Sequence, residues 1–282
     1  MRTIADWMAR DPMVVLEDAP LSTAAALLIH HHYRHLPVIG PTGRLVALLD
    51  DSDVFARGEW VSGEFGRSAG SHPAEFSVHD PRDATLRAAD VARQPEIVVR
   101  PIERLKVAVR PMIELGVDCA VAVDDDRRPV GILTAYDLVR HAPSVLPEAL
   151  TTRDLAARQV VTVGRGQSVG AALDTMRAHR VRHLVVTEVP EGGGGPRPCA
   201  VLSWRALMEV DAVHRPTRAL ATLDAVRSGA VESVHDGARL HEIAERMVSQ
   251  KVGCLPVVSA DGRMIGIVSR SDLMRAVLAE LD

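Results

Sequence analysis

Apolar positions along this chain switch between short runs and a three-to-four-residue period, in the same order four times. Short β-branched runs come first: Met13-Val14-Val15, Ile97-Val98-Val99, Val160-Val161-Thr162-Val163, and 231–234 with polar interruptions. Such runs favour strands. Each is followed by apolar residues at i, i+3 or i+4, and i+7, as in Leu21, Ala24, Ala25 and Leu28, or Leu240, Ile243, Ala244 and Met247. That spacing gathers the apolar side chains on one face of a helix. Ser22, Asp80 and Asp236 are expected turn or cap residues near these helix starts, and Pro111 is expected to kink or shorten the second copy's helix. Two apolar runs divided by a turn come next. They are clearest in Leu255-Pro256-Val257-Val258, then Asp261-Gly262, then Met264-Ile265-Gly266-Ile267-Val268, which predicts a β-hairpin. A last helix is predicted to start between Ser269 and Asp272 and to carry Leu273, Val277 and Leu278. The order β-α-β-β-α, four times over, places the chain in the α+β class.

The copies share fixed spacings. Val15, Val99, Val163 and Val234 anchor them; Leu21, Leu105, Val169 and Leu240 follow at one fixed distance, and Leu28, Met112, Met176 and Met247 at a second. Pro37, Val121, Val185 and Pro256 mark a third position. Beyond it, three copies place a small polar residue, Asp50, Thr134 or Ser269, and then an aspartate, Asp53, Asp137 or Asp272. The third copy reaches Ser203 and Ala206 through an insertion, its hairpin turn having swollen into Glu191-Gly192-Gly193-Gly194-Gly195-Pro196. Slip-free spacing identifies a repeated structural unit. The anchors lie 84, 64 and 71 residues apart, which pairs the first copy with the second and the third with the fourth. We expect repeats at 1–57, 84–142, 151–210 and 217–282. A linker or surface loop is expected at 58–83, which is rich in Gly, Ser, His and Pro, and a shorter join at 141–147.

Composition narrows the function. With 282 residues, 47% of them hydrophobic and only 3% aromatic, aliphatic packing must stabilise the cores. Thirty-three basic residues against 37 acidic ones give a formal charge of −4, so no global attraction to nucleic acid is expected. Residues 1–10 lack an apolar signal core and no run of about 18 apolar residues occurs, so a cytoplasmic protein without a membrane span is expected. The three cysteines lack CxxC spacing, and buried thiols are expected. His30, His31 and His32 with His35 point in different directions on a helix and have no acidic ligand pattern, so no metal site is expected.

The chemistry lies in the polar-x-x-Asp signature, where an apolar strand ends and a helix begins. In Gly266-Ile267-Val268-Ser269-Arg270-Ser271-Asp272, the backbone N–H groups of the helix start and the Ser269 hydroxyl can hold phosphate oxygens. Asp272, one turn on, offers two carboxylate oxygens to the vicinal diol of a ribose. The plainer alternative is a helix cap, Ser269 serving as N-cap and Asp272 as a favourable first-turn acid.

The pattern resembles the CBS domain, named after cystathionine β-synthase, whose motif is Gly-hydrophobic-x-Ser/Thr-x-x-Asp. The resemblance covers nearly the whole chain apart from the linker and the Gly-rich tip. It implies four CBS domains paired into two Bateman modules, each with two clefts for adenosine-containing ligands. It further implies that the Ser/Thr meets phosphate, the Asp meets the ribose hydroxyls, and the partner domain's first strand adds a contact. Carried over residue by residue, the strongest cleft joins Ser269 and Asp272 with Thr162. Arg34 and Arg182, three before the Pro or Val position, match a basic residue that faces phosphate, and Arg270 is a weaker phosphate candidate. Thr134 and Asp137 match fully, although their partner strand offers Val14 in place of a hydroxyl.

Two repeats depart. In the first, Asp50 puts a carboxylate where phosphate would rest, and two like charges about 4 Å apart repel by roughly 4 kcal/mol at an intermediate dielectric. Asp53 can still hold a ribose, but an anionic nucleotide needs a cation or Arg34 to intervene; a cationic compound such as S-adenosylmethionine suffers less. In the third, Ala206 has lost the carboxylate. The resulting expectation is a regulatory protein that senses AMP, ADP or ATP and modulates a protein partner or its own assembly, as a homodimer or an internal pseudo-dimer. The competing expectations are an S-adenosylmethionine sensor and a ligand-free interaction scaffold. No enzyme is expected, because no residue set joins a nucleophile to a positioned base.

Overall fold

The computed structural model describes residues 2–55, 57–61, 75–78, 85–179, 181–190, 193, 195–204, 206–207 and 231–281. Asp80 and half of the Gly-rich tip lie outside these residues. The chain divides into two compact units, Met1–Thr134 and Ala135–Asp282. The first contains, in order, β1 (Ala9–Arg10), β2 (Val15–Leu16), α1 (Leu21–His30), β3 (His35–Ile39), β4 (Leu45–Asp50), α2 (Asp51–Phe55), β5 (Gly58–Val61), β6 (Glu75–Val78), α3 (Ala88–Val91), β7 (Val98–Val99), α4 (Lys106–Leu115), β8 (Cys119–Val123) and β9 (Pro129–Thr134). The second contains α5 (Ala135–His141), α6 (Thr152–Leu155), β10 (Thr162–Gly164), α7 (Val169–His179), β11 (His183–Glu188), β12 (Arg197–Ser203), β13 (Val234–His235), α8 (Leu240–Ser249), β14 (Cys254–Val258), β15 (Met264–Ser269) and α9 (Arg270–Ala279). The mixed α+β class expected from the sequence is what forms. Among the described residues no helix is long and apolar enough to cross a membrane.

Each repeat builds a small sheet whose middle strand pairs parallel with the anchor strand and antiparallel with the hairpin's return strand. The register is the same in all four. Val15 pairs with Val38, Val99 with Ala122, Val163 with Val186 and Val234 with Val257, one residue past the Pro or Val position each time. All four anchors are buried, as are Leu21, Leu105, Val169, Leu240, Leu28, Met112, Met176 and Met247. The fixed sequence spacing is thus the distance from an anchor on the sheet to two successive turns of the helix packed on it. Each hairpin also shifts register by a bulge at the same place, at Val38/Ile39, Ala122/Val123, Val186/Thr187 and Val257/Val258.

The segment leading into a repeat lies on its neighbour. Thirteen residues before their anchors, the carbonyls of Arg2, Leu86 and Leu150 accept from the N–H of Leu105, Leu21 and Leu240 at 3.1, 2.9 and 2.9 Å. Six before the anchors, Ala9, Arg93 and Ala157 bridge to Ile132, Leu48 and Ile267. The first and second repeats therefore exchange leaders, and the third repeat's leader crosses to the fourth. This is the pairing that the anchor spacing expects. The fourth repeat's own leader lies outside the described residues.

Two expectations change. The linker at 58–83 is not wholly loop: Gly58–Val61 and Glu75–Val78 form an antiparallel ladder, with Trp60 opposite Phe76. Pro111 does not shorten its helix, since α4 runs ten residues, as α1 and α8 do. A proline there costs one hydrogen bond, to the carbonyl of Val107. Val107 lies on the exposed face of the helix, where water can serve that carbonyl.

Candidate functional site

In the fourth repeat β15 ends at Ser269, opposite Cys254 on β14, and α9 begins at the next residue. The Arg270 N–H is bound by the Gly253 carbonyl, which pins the helix start to the strand edge. Asp272 accepts from the Ser269 N–H at 2.8 Å and from the Ser269 hydroxyl at 2.6 Å. Its other carboxylate oxygen receives Arg275 at 2.8 Å. The signature therefore folds as a capping box. Similar boxes occur at Thr3/Asp6 and Thr151/Asp154, and Asp90 accepts from the Arg87 N–H at the matching place in the second repeat. Their backbone bonds, above all, hold Asp6 and Asp154 below the ordinary carboxylate range. Those two acids are exposed, whereas Asp272 is only 8% exposed. Capping alone does not require burial of the acid, and burying a carboxylate is costly without compensation.

The other residues expected in this cleft belong to the same unit. Thr162 stands exposed on β10, paired with Val185. Arg182 is half-buried just before β11, and its carbonyl accepts from the Trp204 N–H at 2.8 Å. Arg270 lays its guanidinium over the Tyr136 ring at 5.7 Å and donates to the Val252 carbonyl at 3.3 Å. The structure thus joins Ser269 directly to Asp272, and places Thr162 on the edge strand and Arg182 just ahead of the middle strand of the neighbouring repeat.

Thr134 closes β9 opposite Cys119. Asp137 lies buried in the first turn of α5, with Arg140 at 3.6 Å.

The first repeat is engaged internally. Asp50 lies across the hairpin from His35, with His35 Nε2 3.1 Å from Asp50 Oδ2 and side-chain exposures of 8% and 10%. Burial alone would lower the His35 pKa, but Asp50 and the Cys119 side chain raise it to about 10. Burial opposes ionisation of Asp50 too, yet His35 and Ser52 hold its carboxyl well below the usual range. The cation needed beside Asp50 is therefore His35. Arg34, expected to face phosphate, instead meets Asp118 at 3.1 Å. These two occupy the same position in the first and second repeats. Asp53 receives the Arg93 Nε at 2.8 Å, and burial leads in pushing its pKa up.

In the third repeat Ser203 survives as a helix cap, accepting from the Ala206 N–H at 3.1 Å. The position of Arg34 and Asp118 is held by Arg182 in the third repeat and by Gly253 in the fourth, and a Cβ on Gly253 would collide with the His183 ring. Cys119, Cys199 and Cys254 are buried and not joined in disulfides, and burial pushes the Cys254 thiol up to about 12. Sequence reasoning missed the leader acids Asp6, Asp90 and Asp154, whose signal is an aspartate nine residues before three of the anchors. Among the described residues no cluster of histidine, cysteine and acid able to hold a metal forms.

A family model described as CBS domain matches residues 4–58, 88–144, 153–212 and 225–279. The uncharacterized protein MJ1225 of Methanocaldococcus jannaschii is 21% identical over 278 residues, covering 93% of this chain and 94% of its own length. Its crystal structure, put forward as that of an archaeal homolog of g-AMPK, matches with a TM-score of 0.75 at 18% identity, covering 97% of this chain and 99% of that one. An uncharacterized conserved protein from Pyrococcus horikoshii matches with a TM-score of 0.67 at 20% identity, covering 98% and 100%. At such identities these likenesses establish a shared fold.

Proposed function

Because this chain belongs to the CBS-domain family, we propose that it is a regulatory protein whose paired repeats bind adenine nucleotides of the AMP, ADP or ATP type. The observation that carries this reading is the buried Asp272 carboxylate at a helix start. The exposed acids of the Thr3/Asp6 and Thr151/Asp154 boxes already show what capping alone requires. In the proposed complex the N–H groups at the start of α9 and the Ser269 hydroxyl receive a phosphate, with Arg182 and Arg270 adding charge. The ribose hydroxyls take Asp272, displacing Arg275. That ion pair is weak because Arg275 is more than half exposed. Thr162 contributes a hydroxyl from the third repeat. A ligand that touches both repeats of a pair favours one relative placement of them, and this shift is what a protein partner or a second copy would read.

A scaffold role suits the first repeat, because Asp50, Asp53 and Arg34 are all held by the chain's own side chains. Calorimetric titration with AMP, ADP, ATP and S-adenosylmethionine tests the reading. Asp272→Ala should weaken binding about 10- to 100-fold, from the loss of charged hydrogen bonds of roughly 1.5 to 3 kcal/mol. Asp272→Asn keeps a cap acceptor and serves as the control for folding. Unchanged affinity in Asp272→Ala would remove the assignment; tighter binding of S-adenosylmethionine than of any nucleotide would redirect it.

A further inference from the structure

The outer side of the first helix of each repeat can be followed through all four copies at fixed distances from the anchor. The first copy has Asp18, Thr23, Leu27 and His31; the third Gly166, Ala171, Thr175 and His179; the fourth Gly237, Glu242, Arg246 and Gln250. The second has Ile102, Val107, Pro111 and Leu115. Val107, Pro111 and Leu115 recur every fourth residue and so form one strip along α4. Ile102 is 85% exposed, Leu115 59% and Val107 44%. Apolar exposure concentrated at one copy of a repeated position, where the other copies are mostly polar or small, marks a surface that is covered.

The charges beside the strip complement themselves. Lys106 and Arg110 lie in the first half of α4 and Glu114 in its last turn. This arrangement opposes the helix dipole, which favours acids at the start and bases at the end. Laying a second α4 antiparallel across the first, with the two-fold axis near Pro111, sets Val107 against Leu115 and Arg110 near Glu114. The symmetry repeats each contact. It also brings the basic half of each helix to the acidic end of the other.

We propose that α4 is a self-association face, through which two copies of this chain dock antiparallel by Val107, Pro111, Leu115 and Ile102. Sedimentation velocity over roughly 1 to 100 μM should show a reversible monomer–dimer equilibrium for the unaltered chain. Leu115→Glu, at an exposed position, should raise the dissociation constant at least about tenfold with an unchanged thermal melt. Arg110→Glu should also weaken the dimer, and adding Glu114→Arg should restore it. An unaltered chain that stays monomeric throughout, a dimer that survives Leu115→Glu, or a charge reversal that restores nothing would each overturn the proposal.

Discussion

His35 and Asp50 face each other across one hairpin where the fourth repeat has Cys254 and Ser269. The exchange turns a candidate phosphate seat into a buried ion pair, which adds little net stability but is costly to break singly, by about 3 to 5 kcal/mol. His35→Cys or Asp50→Ser alone should therefore destabilise the first unit, while the double variant, which reproduces the fourth repeat's pair, should recover most of the loss in urea denaturation. The pair also sets a pH dependence. His35 keeps its proton to about pH 10 when folded but to 6.5 when unfolded, so its contribution is complete below pH 6.5 and is lost as pH rises through 10. Asp50, held below its unfolded 3.8, contributes above that value and loses its share as pH falls. Urea midpoints for the first unit should be lower at pH 9 than at pH 6, and the gap should shrink in the double variant. A gap that persists would assign it to other groups. Asp50 stood out in the sequence as the odd carboxylate. Its partner did not, because His35 is one of four nearby histidines and only the hairpin register selects it.

At the level of elements, the leaders explain the motif glycine. Gly266 and Gly131 each precede the residue that bridges to a leader, Ile267 to Ala157 and Ile132 to Ala9. A Cβ on Gly266 would lie 2.9 Å from the Ala157 carbonyl oxygen, whereas on Gly131 it would strike only the Met8 side chain. Backbone cannot swing aside as a methionine can. Gly266→Ala should thus lower stability by about 1 to 3 kcal/mol and Gly131→Ala by less, measured as thermal melts. Equal losses would show that the leader is not what excludes the methyl. In the first repeat the same position is Ala47, so its leader contact at Leu48 already accommodates a methyl group. The anchors, helix faces and hairpins were legible because their apolar periods extend over many residues. The leader helices Ala88–Val91 and Thr152–Leu155 span four residues each, too few to establish a period. The ladder of Trp60 with Phe76 was hidden because a segment rich in glycine and serine lies between its strands.

On the scale of the whole molecule, the unit of folding is the pair and not the repeat. A fragment ending at residue 61 would lack the second repeat's leader, which supplies bonds to Leu21 and Leu48. Its own leader would have no sheet to join. It should be largely unstructured by circular dichroism and should gain structure when mixed with a fragment covering residues 85–134. Native-like spectra from the first fragment alone would contradict this. The sequence made the four repeats and their pairing legible through spacing, but the leader contacts between paired repeats were not visible in any single repeat. Those contacts also carry a consequence in time. Arg2 meets Leu105, and Leu150 meets Leu240, roughly a hundred residues later in the chain. While the protein is being made, the leaders at Arg2 and Leu150 must wait, unpaired, until Leu105 and Leu240 have been synthesised. These leader contacts therefore form late, and a stalled or truncated product would expose an unfinished sheet edge to aggregation.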